Sequence, residues 1–288
     1  MWHACGAAQV SQDADEVAAG VRLSWNARRR SDGDSSRAGY PGANVVGESF
    51  SSAAPIVEDA LGFNYGRTVR GMVAFDLDGV LYSSEPFLGD AYREAIANVT
   101  VRHPGLFPRV PETREILDHV GWPVSVILER LFPAIDTNVV SKLSLELLDV
   151  ICRRVAGGEG VLFAGVAETL VHLRRDGWML SVASNGRRRY VETVLSTYGL
   201  SGHFVELVSI DSHPGIKLKA DILDAYLQRE QLTAEQLVMV GDRISDVAAA
   251  QAVGCRFVGC DYGHGYRGEI VGAGPVIGAF DQLLATLG

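Results

Sequence analysis

The chain has 288 residues, 47% of them hydrophobic, and a formal net charge of −9. That length admits one large or two ordinary domains with a substantial core. The acidic balance without a sustained basic run excludes a general binder of nucleic acid or of anionic membranes, and no apolar run reaches the roughly 18 residues of a membrane span. Four cysteines, Cys5, Cys152, Cys255 and Cys260, lack C-x-x-C spacing. Neither a zinc site nor a disulfide framework is therefore expected, and a reducing cytoplasm is the expected compartment. The start of the chain lacks the basic-then-apolar order of a secretory signal.

Residues 1–68 are rich in Ala, Gly, Ser and charge, as in Arg28-Arg29-Arg30-Ser31-Asp32. Such a segment buries too little apolar surface to offset its ordering entropy. It is expected to be a disordered extension, apart from a short helix near Asp13 to Leu23. A partner-binding tail, or a translation start downstream of Met1, are the other readings of this segment.

Val73-Ala74-Phe75 reads as a buried strand ending in Asp76-Leu77-Asp78-Gly79. A short apolar run bounded by a turn signal suits a strand covered on both faces. Helical patterns then follow without interruption. They begin at Glu85, at Pro111-Glu112-Thr113 with proline in a favoured first-turn position, at Trp122 and at Val139. This stretch predicts a helical cap over residues 86–157, inserted into a core formed by residues 69–85 and 158–288. Beyond it, an amphipathic helix spans Gly165 to Asp176 and a second strand spans Trp178 to Ala183. A helix spans Arg187 to Tyr198, a third strand Phe204 to Ile210, and a helix Lys219 to Glu230. A fourth strand is expected over Leu237 to Val240, a helix over Asp246 to Val253, and a fifth strand over Cys255 to Gly259. Strands alternating with helices imply right-handed crossovers, hence an α/β fold with a doubly wound parallel sheet.

Ligands of such sheets bind beyond the carboxyl ends of the strands. Asp76 and Asp78 follow the first strand, Ser184 and Asn185 the second, Lys217 the third, and Asp242 the fourth, with Asp246 four residues on. Two carboxylates as close as Asp76 and Asp78 repel unless a cation or a shared proton relieves them, which points to Mg²⁺. One carboxylate can attack phosphorus, and a second can protonate the leaving oxygen and later deprotonate water. A hydroxyl, an amide and an ammonium group can hold the charge spread over phosphoryl oxygens. The set therefore suits phosphoryl transfer through a covalent aspartyl-phosphate.

The ordered set Asp76-x-Asp78, Ser184, Lys217 and Gly241-Asp242-x-x-x-Asp246 resembles the haloacid dehalogenase superfamily. It is most similar to the phosphatases with a helical cap after the first strand. Phe75-Asp76-Leu77-Asp78-Gly79-Val80-Leu81 and Phe163-Ala164-Gly165-Val166 carry the likeness in detail. Gly263-His264-Gly265-Tyr266 is similar to the tails of phosphoglycolate-phosphatase-like members. The resemblance implies a Rossmann-like core, Asp76 as nucleophile and Mg²⁺ ligand, and Asp78 as general acid/base with its backbone carbonyl on the metal. It implies Ser184 and Asn185 at the phosphoryl group, Lys217 neutralising charge on Asp76, and Asp242 and Asp246 holding Mg²⁺ or its water shell.

Two features depart from the family pattern. The third motif is Lys217-Leu218-Lys219-Ala220-Asp221 rather than Lys-Pro, with Lys219 the second candidate. Ser83 stands where relatives often carry Asp. Arg187 is a candidate for substrate phosphate, and Arg93, Arg102, His103 and Arg109 are candidates for the leaving group. Trp122 is expected in the cap core, and His213 and His264 in loops. The expected activity is hydrolysis of a small phosphorylated metabolite, with protein partners unknown. A phosphomutase of the same superfamily and a catalytically silent binding protein are the alternatives.

Overall fold

The computed structural model describes residues 69–205 and 207–288. The disorder and the short helix expected within residues 1–68 lie outside the described residues. Strand β1 (Gly71–Phe75) leads through a two-residue strand, β2 (Tyr82–Ser83), into four helices: α1 (Glu85–Arg102), α2 (Thr113–Leu117), α3 (Val124–Leu131) and α4 (Thr137–Ala156). The chain returns through β3 (Val161–Leu162). Then follow α5 (Val166–Arg175), β4 (Trp178–Val182), α6 (Arg188–Thr197), α7 (Lys219–Arg229) and β5 (Leu237–Gly241). The chain closes with α8 (Ile244–Val253), β6 (Arg256–Cys260), β7 (Val276–Ile277) and α9 (Leu283–Leu287).

The sheet is parallel, in the order β4-β1-β5-β6-β7. Its side-chain alternation divides the core into two layers, because successive strand residues point to opposite faces. Val73 and Phe75 face a layer containing Leu170, Val194 and Phe280. Met72 and Ala74 face the other, with Leu223, Val247 and Ala250. Helices therefore cover both faces, as a buried parallel sheet requires.

The register sets up the site. Phe75, the last residue of β1, pairs with Val182 of β4 and with Val240 of β5. Gly241 pairs with Gly259 of β6. The loops leaving these strands thus start at nearly one level, on one edge of the sheet.

The expected third strand, Phe204 to Ile210, is a correction: no regular strand forms there among the described residues. The Val205 N–H donates to Leu180 O at 2.9 Å, so the chain touches the edge of β4 there. Side chains then take the backbone donors instead of a ladder. The Val208 N–H goes to the Tyr226 hydroxyl (2.9 Å) and the Ser209 N–H to the Ser212 hydroxyl (2.8 Å).

Both connections to the inserted helices pass through one antiparallel pairing, Tyr82 with Leu162 and Ser83 with Val161. The Tyr82 hydroxyl donates to Glu159 O at 2.6 Å. Gly160 has φ +91°, and a Cβ there would sit 1.8 Å from that hydroxyl, so the close approach requires glycine. Over the sheet edge, α1 packs along α4, and α4 packs on α6 of the core. The cap rests on the core along this helix.

Candidate active site

Asp76 stands one residue past β1 and is 2% exposed. Its Oδ1 accepts the Leu77 N–H at 2.8 Å, and its Oδ2 lies 2.9 Å from Lys219 Nζ. Lys219 also pairs with Asp246 Oδ1. Burial pushes the Asp76 carboxyl up to about 7; Lys219 pulls it down, and Asp246 and Asp78 add to the rise. Burial pushes the Lys219 ammonium down, but Asp246 and Asp76 outweigh it and hold the group above its ordinary value.

Lys217, expected in this position, is exposed, and the structure brings Lys219 to Asp76 in its place. The reason is helical phase. Lys219 opens α7 and shares its buried stripe with Ile222, Leu223 and Tyr226, at i+3, i+4 and i+7. Lys217 precedes the helix, and its N–H and that of Leu218 donate to Asp221 Oδ2 at 2.7 and 2.8 Å. That stripe was available in the sequence as the signal for Lys219.

Asp242 follows β5 and is 1% exposed. Its Oδ2 accepts the N–H groups of His264 (2.7 Å) and Gly265 (2.9 Å), so the loop after β6 closes over it. Gly79 faces the same carboxylate with φ +83°, and a Cβ there would lie 2.3 Å from Asp242 Oδ2. Asp246 is fully buried, and its Oδ2 accepts the N–H groups of Asp242 (3.1 Å) and Arg243 (3.0 Å). Burial, then Asp246 and Asp76, push the Asp242 carboxyl well above the usual carboxylate range.

Oxygens of Asp76, Asp242 and Asp246 lie within 4.8 Å of one another. Lys219 pairs with two of these three buried carboxylates, Asp76 and Asp246, and Asp242 Oδ1 is buried without a partner. A hard divalent cation with oxygen ligands would take that oxygen and offset the excess charge, so the donor set fits Mg²⁺.

Asp78 lies outside this trio. Its Oδ1 accepts from the hydroxyls of Tyr190 (2.7 Å) and Ser84 (2.9 Å). Burial raises its carboxyl above the ordinary range, and the two hydroxyls oppose the rise. The same burial, with Asp78 beside it, holds the Tyr190 phenol protonated, so it acts as a donor. Tyr190 and Ser84 are site residues that the sequence reading missed; neither belongs to a motif at a strand end.

Ser184, 3% exposed, accepts the Gly186 N–H at 3.0 Å. Asn185 Nδ2 donates to the carbonyl of Gly121 at 2.8 Å, and Arg187 donates to Ser144 Oγ at 3.0 Å. Both reach from the core to the cap. Ser184, Asn185 and Arg187 line an open cleft between core and cap, with Asp76 and Asp78 also on its wall.

Arg93, Arg102, His103 and Arg109 do not line this cleft. Arg93 pairs with Asp90, Arg102 with Glu146, and Arg109 with Glu115, at 2.6 Å. Trp122, expected in the cap core, is half-buried and forms part of the cleft wall, with the Arg130 guanidinium 4.6 Å from its ring centroid. His213 is exposed. His264 lies beside the acids through its backbone, and burial lowers its imidazole below the usual value.

The family model described as haloacid dehalogenase-like hydrolase matches residues 72–254. The phosphoglycolate phosphatase of Vibrio cholerae is 30% identical over 211 residues, covering 71% of this chain and 90% of that protein. That of Aliivibrio fischeri is 32% identical over 228 residues, covering 75% and 96%. In three dimensions the chain is similar to a predicted phosphoglycolate phosphatase from Haemophilus somnus. The TM-score is 0.66 at 23% identity, with 76% of this chain and 98% of that one covered. It is also similar to CbbY from Rhodobacter sphaeroides in complex with phosphate, with TM-score 0.63, 21% identity and coverage of 75% and 98%.

Proposed function

The chain belongs to the haloacid dehalogenase-like hydrolases and is a phosphatase, and from that premise we propose that it hydrolyses a small phosphomonoester through an aspartyl-phosphate on Asp76 with Mg²⁺ bound. The observation that carries this reading is the division of labour between two carboxylates. Asp76 is held by Lys219 among buried acids, and Asp78 is held by two hydroxyls at the cleft.

In the first step a carboxylate oxygen of Asp76 attacks phosphorus while the bond to the ester oxygen breaks. Asp78, whose carboxyl burial raises above its ordinary value, gives its proton to that leaving oxygen. In the second step Asp78 takes a proton from water as the water oxygen attacks phosphorus, and the acyl-phosphate bond breaks to return Asp76 and release phosphate. Lys219 balances the charge on Asp76. Ser184 offers a hydroxyl to the phosphoryl oxygens, and the cap excludes bulk water. Asp76, Asp242 and Asp246, with the Asp78 carbonyl, would hold the Mg²⁺, which when bound neutralises charge on the phosphoryl oxygens.

The relatives make 2-phosphoglycolate the first compound to assay. Among the described residues no helix is long and apolar enough to cross a membrane. The unpaired thiols of Cys152, Cys255 and Cys260 favour the cytoplasm. The test is phosphate release from a panel of phosphomonoesters with and without Mg²⁺, in the wild type and Asp76→Asn. Metal-dependent release by the wild type alone is expected. Turnover by Asp76→Asn at the wild-type rate would overturn the mechanism.

A further inference from the structure

The cleft wall facing Asp76 is markedly apolar. Leu88 and Tyr92 of α1, Trp122 and Ile127 around α3, and Leu148 and Ile151 of α4 line it. Ser144, Leu147, Leu148 and Ile151 share one face of α4, so the whole stripe looks into the cleft.

This stripe is not left open for want of a docked cap. The cap already touches the core through Asn185 and the Gly121 carbonyl, through Arg187 and Ser144, and along α4 and α6. The apolar wall remains around the space between them.

The polar groups of the cleft are largely committed. Tyr190 and Ser84 donate to Asp78, Asn185 donates to Gly121, and Ser144 accepts from Arg187. Among the described residues that line the cleft, Arg187 is the one cation. A leaving group rich in hydroxyls or carboxylates would surrender hydration for few partners there, whereas an apolar one would gain by burial.

Resting on the phosphatase reading, we propose that the cleft selects a phosphomonoester whose alcohol portion is chiefly apolar, over a small anionic one such as 2-phosphoglycolate. Leu148 and Ile151 are the specificity-determining residues most open to test, because both are only half-buried.

The experiment measures kcat/KM for n-alkyl phosphates from ethyl to hexyl and for 2-phosphoglycolate, with Mg²⁺ present and Asp76→Asn as blank. Leaving-group reactivity changes little along the alkyl series, so the gradient reports burial. The expected result is a rise of about fourfold per added methylene, with 2-phosphoglycolate below butyl phosphate. Leu148→Gln and Ile151→Gln should flatten the gradient, lowering kcat/KM for hexyl phosphate more than for ethyl phosphate. A flat or falling series with turnover of 2-phosphoglycolate would overturn this proposal and leave the phosphatase standing. Release from no member of the panel would overturn both.

Discussion

The Tyr190 hydroxyl donates to Asp78 Oδ1 at 2.7 Å across 112 residues of sequence. It thereby ties the first helix after the Ser184 loop to the acid that follows β1. The bond favours the ionised carboxyl and opposes the rise that burial imposes. Removing it with Tyr190→Phe should raise the Asp78 pKa further. As general acid, Asp78 works protonated, so the limb of the kcat/KM profile on which activity falls with rising pH should move to higher pH. The rate should fall about tenfold through lost positioning. A pH–rate profile unchanged from the wild type would count against this role for Tyr190.

Lys219→Met should abolish turnover and destabilise the fold. It leaves Asp76 and Asp246 buried without their cation, and breaking such a pair costs about 3–5 kcal/mol. Urea denaturation reads the loss. Lys217→Ala, at an exposed position, should keep activity within about twofold, since surface changes of this kind are small. The opposite ranking would restore Lys217 to the site.

Mg²⁺ should stabilise the wild type by mass action, by about 2.7 kcal/mol at a hundredfold excess over Kd. Asp242→Asn removes one of the three clustered carboxylates and should lose that response. Thermal melts with Mg²⁺ or EDTA check this without any assay of turnover. Equal melting shifts in both proteins would place the metal elsewhere.

Gly79→Ala should lower the melting temperature and weaken the Mg²⁺ response together. Its φ of +83° strains any other residue by about 1–3 kcal/mol, and the added Cβ would press on Asp242 Oδ2. Normal Mg²⁺ stabilisation in this variant would show that the Asp242 carboxylate accommodates the contact.

The acids were legible in the chain itself. Asp76 and Asp242 stand just past apolar runs that read as covered strands, with Asp78 two and Asp246 four residues further on, and in a parallel sheet strand ends gather on one edge. Local pattern also located the helical insertion and most helices, because amphipathic period is written within a few turns. It misplaced the lysine by two residues, although Lys219 stands at i−3, i−4 and i−7 to Ile222, Leu223 and Tyr226 in the helical pattern, and the burial of that stripe places Lys219 at Asp76. It expected a strand at Phe204 to Ile210, where β propensity lost to hydroxyl groups that capture the backbone donors. Tyr190 at Asp78, the Asn185 bond to Gly121 and the apolar cleft wall join residues far apart in the chain. Such contacts depend on how helices and cap are set upon the sheet, and no periodicity within one segment carries that information; it arises only when the segments pack.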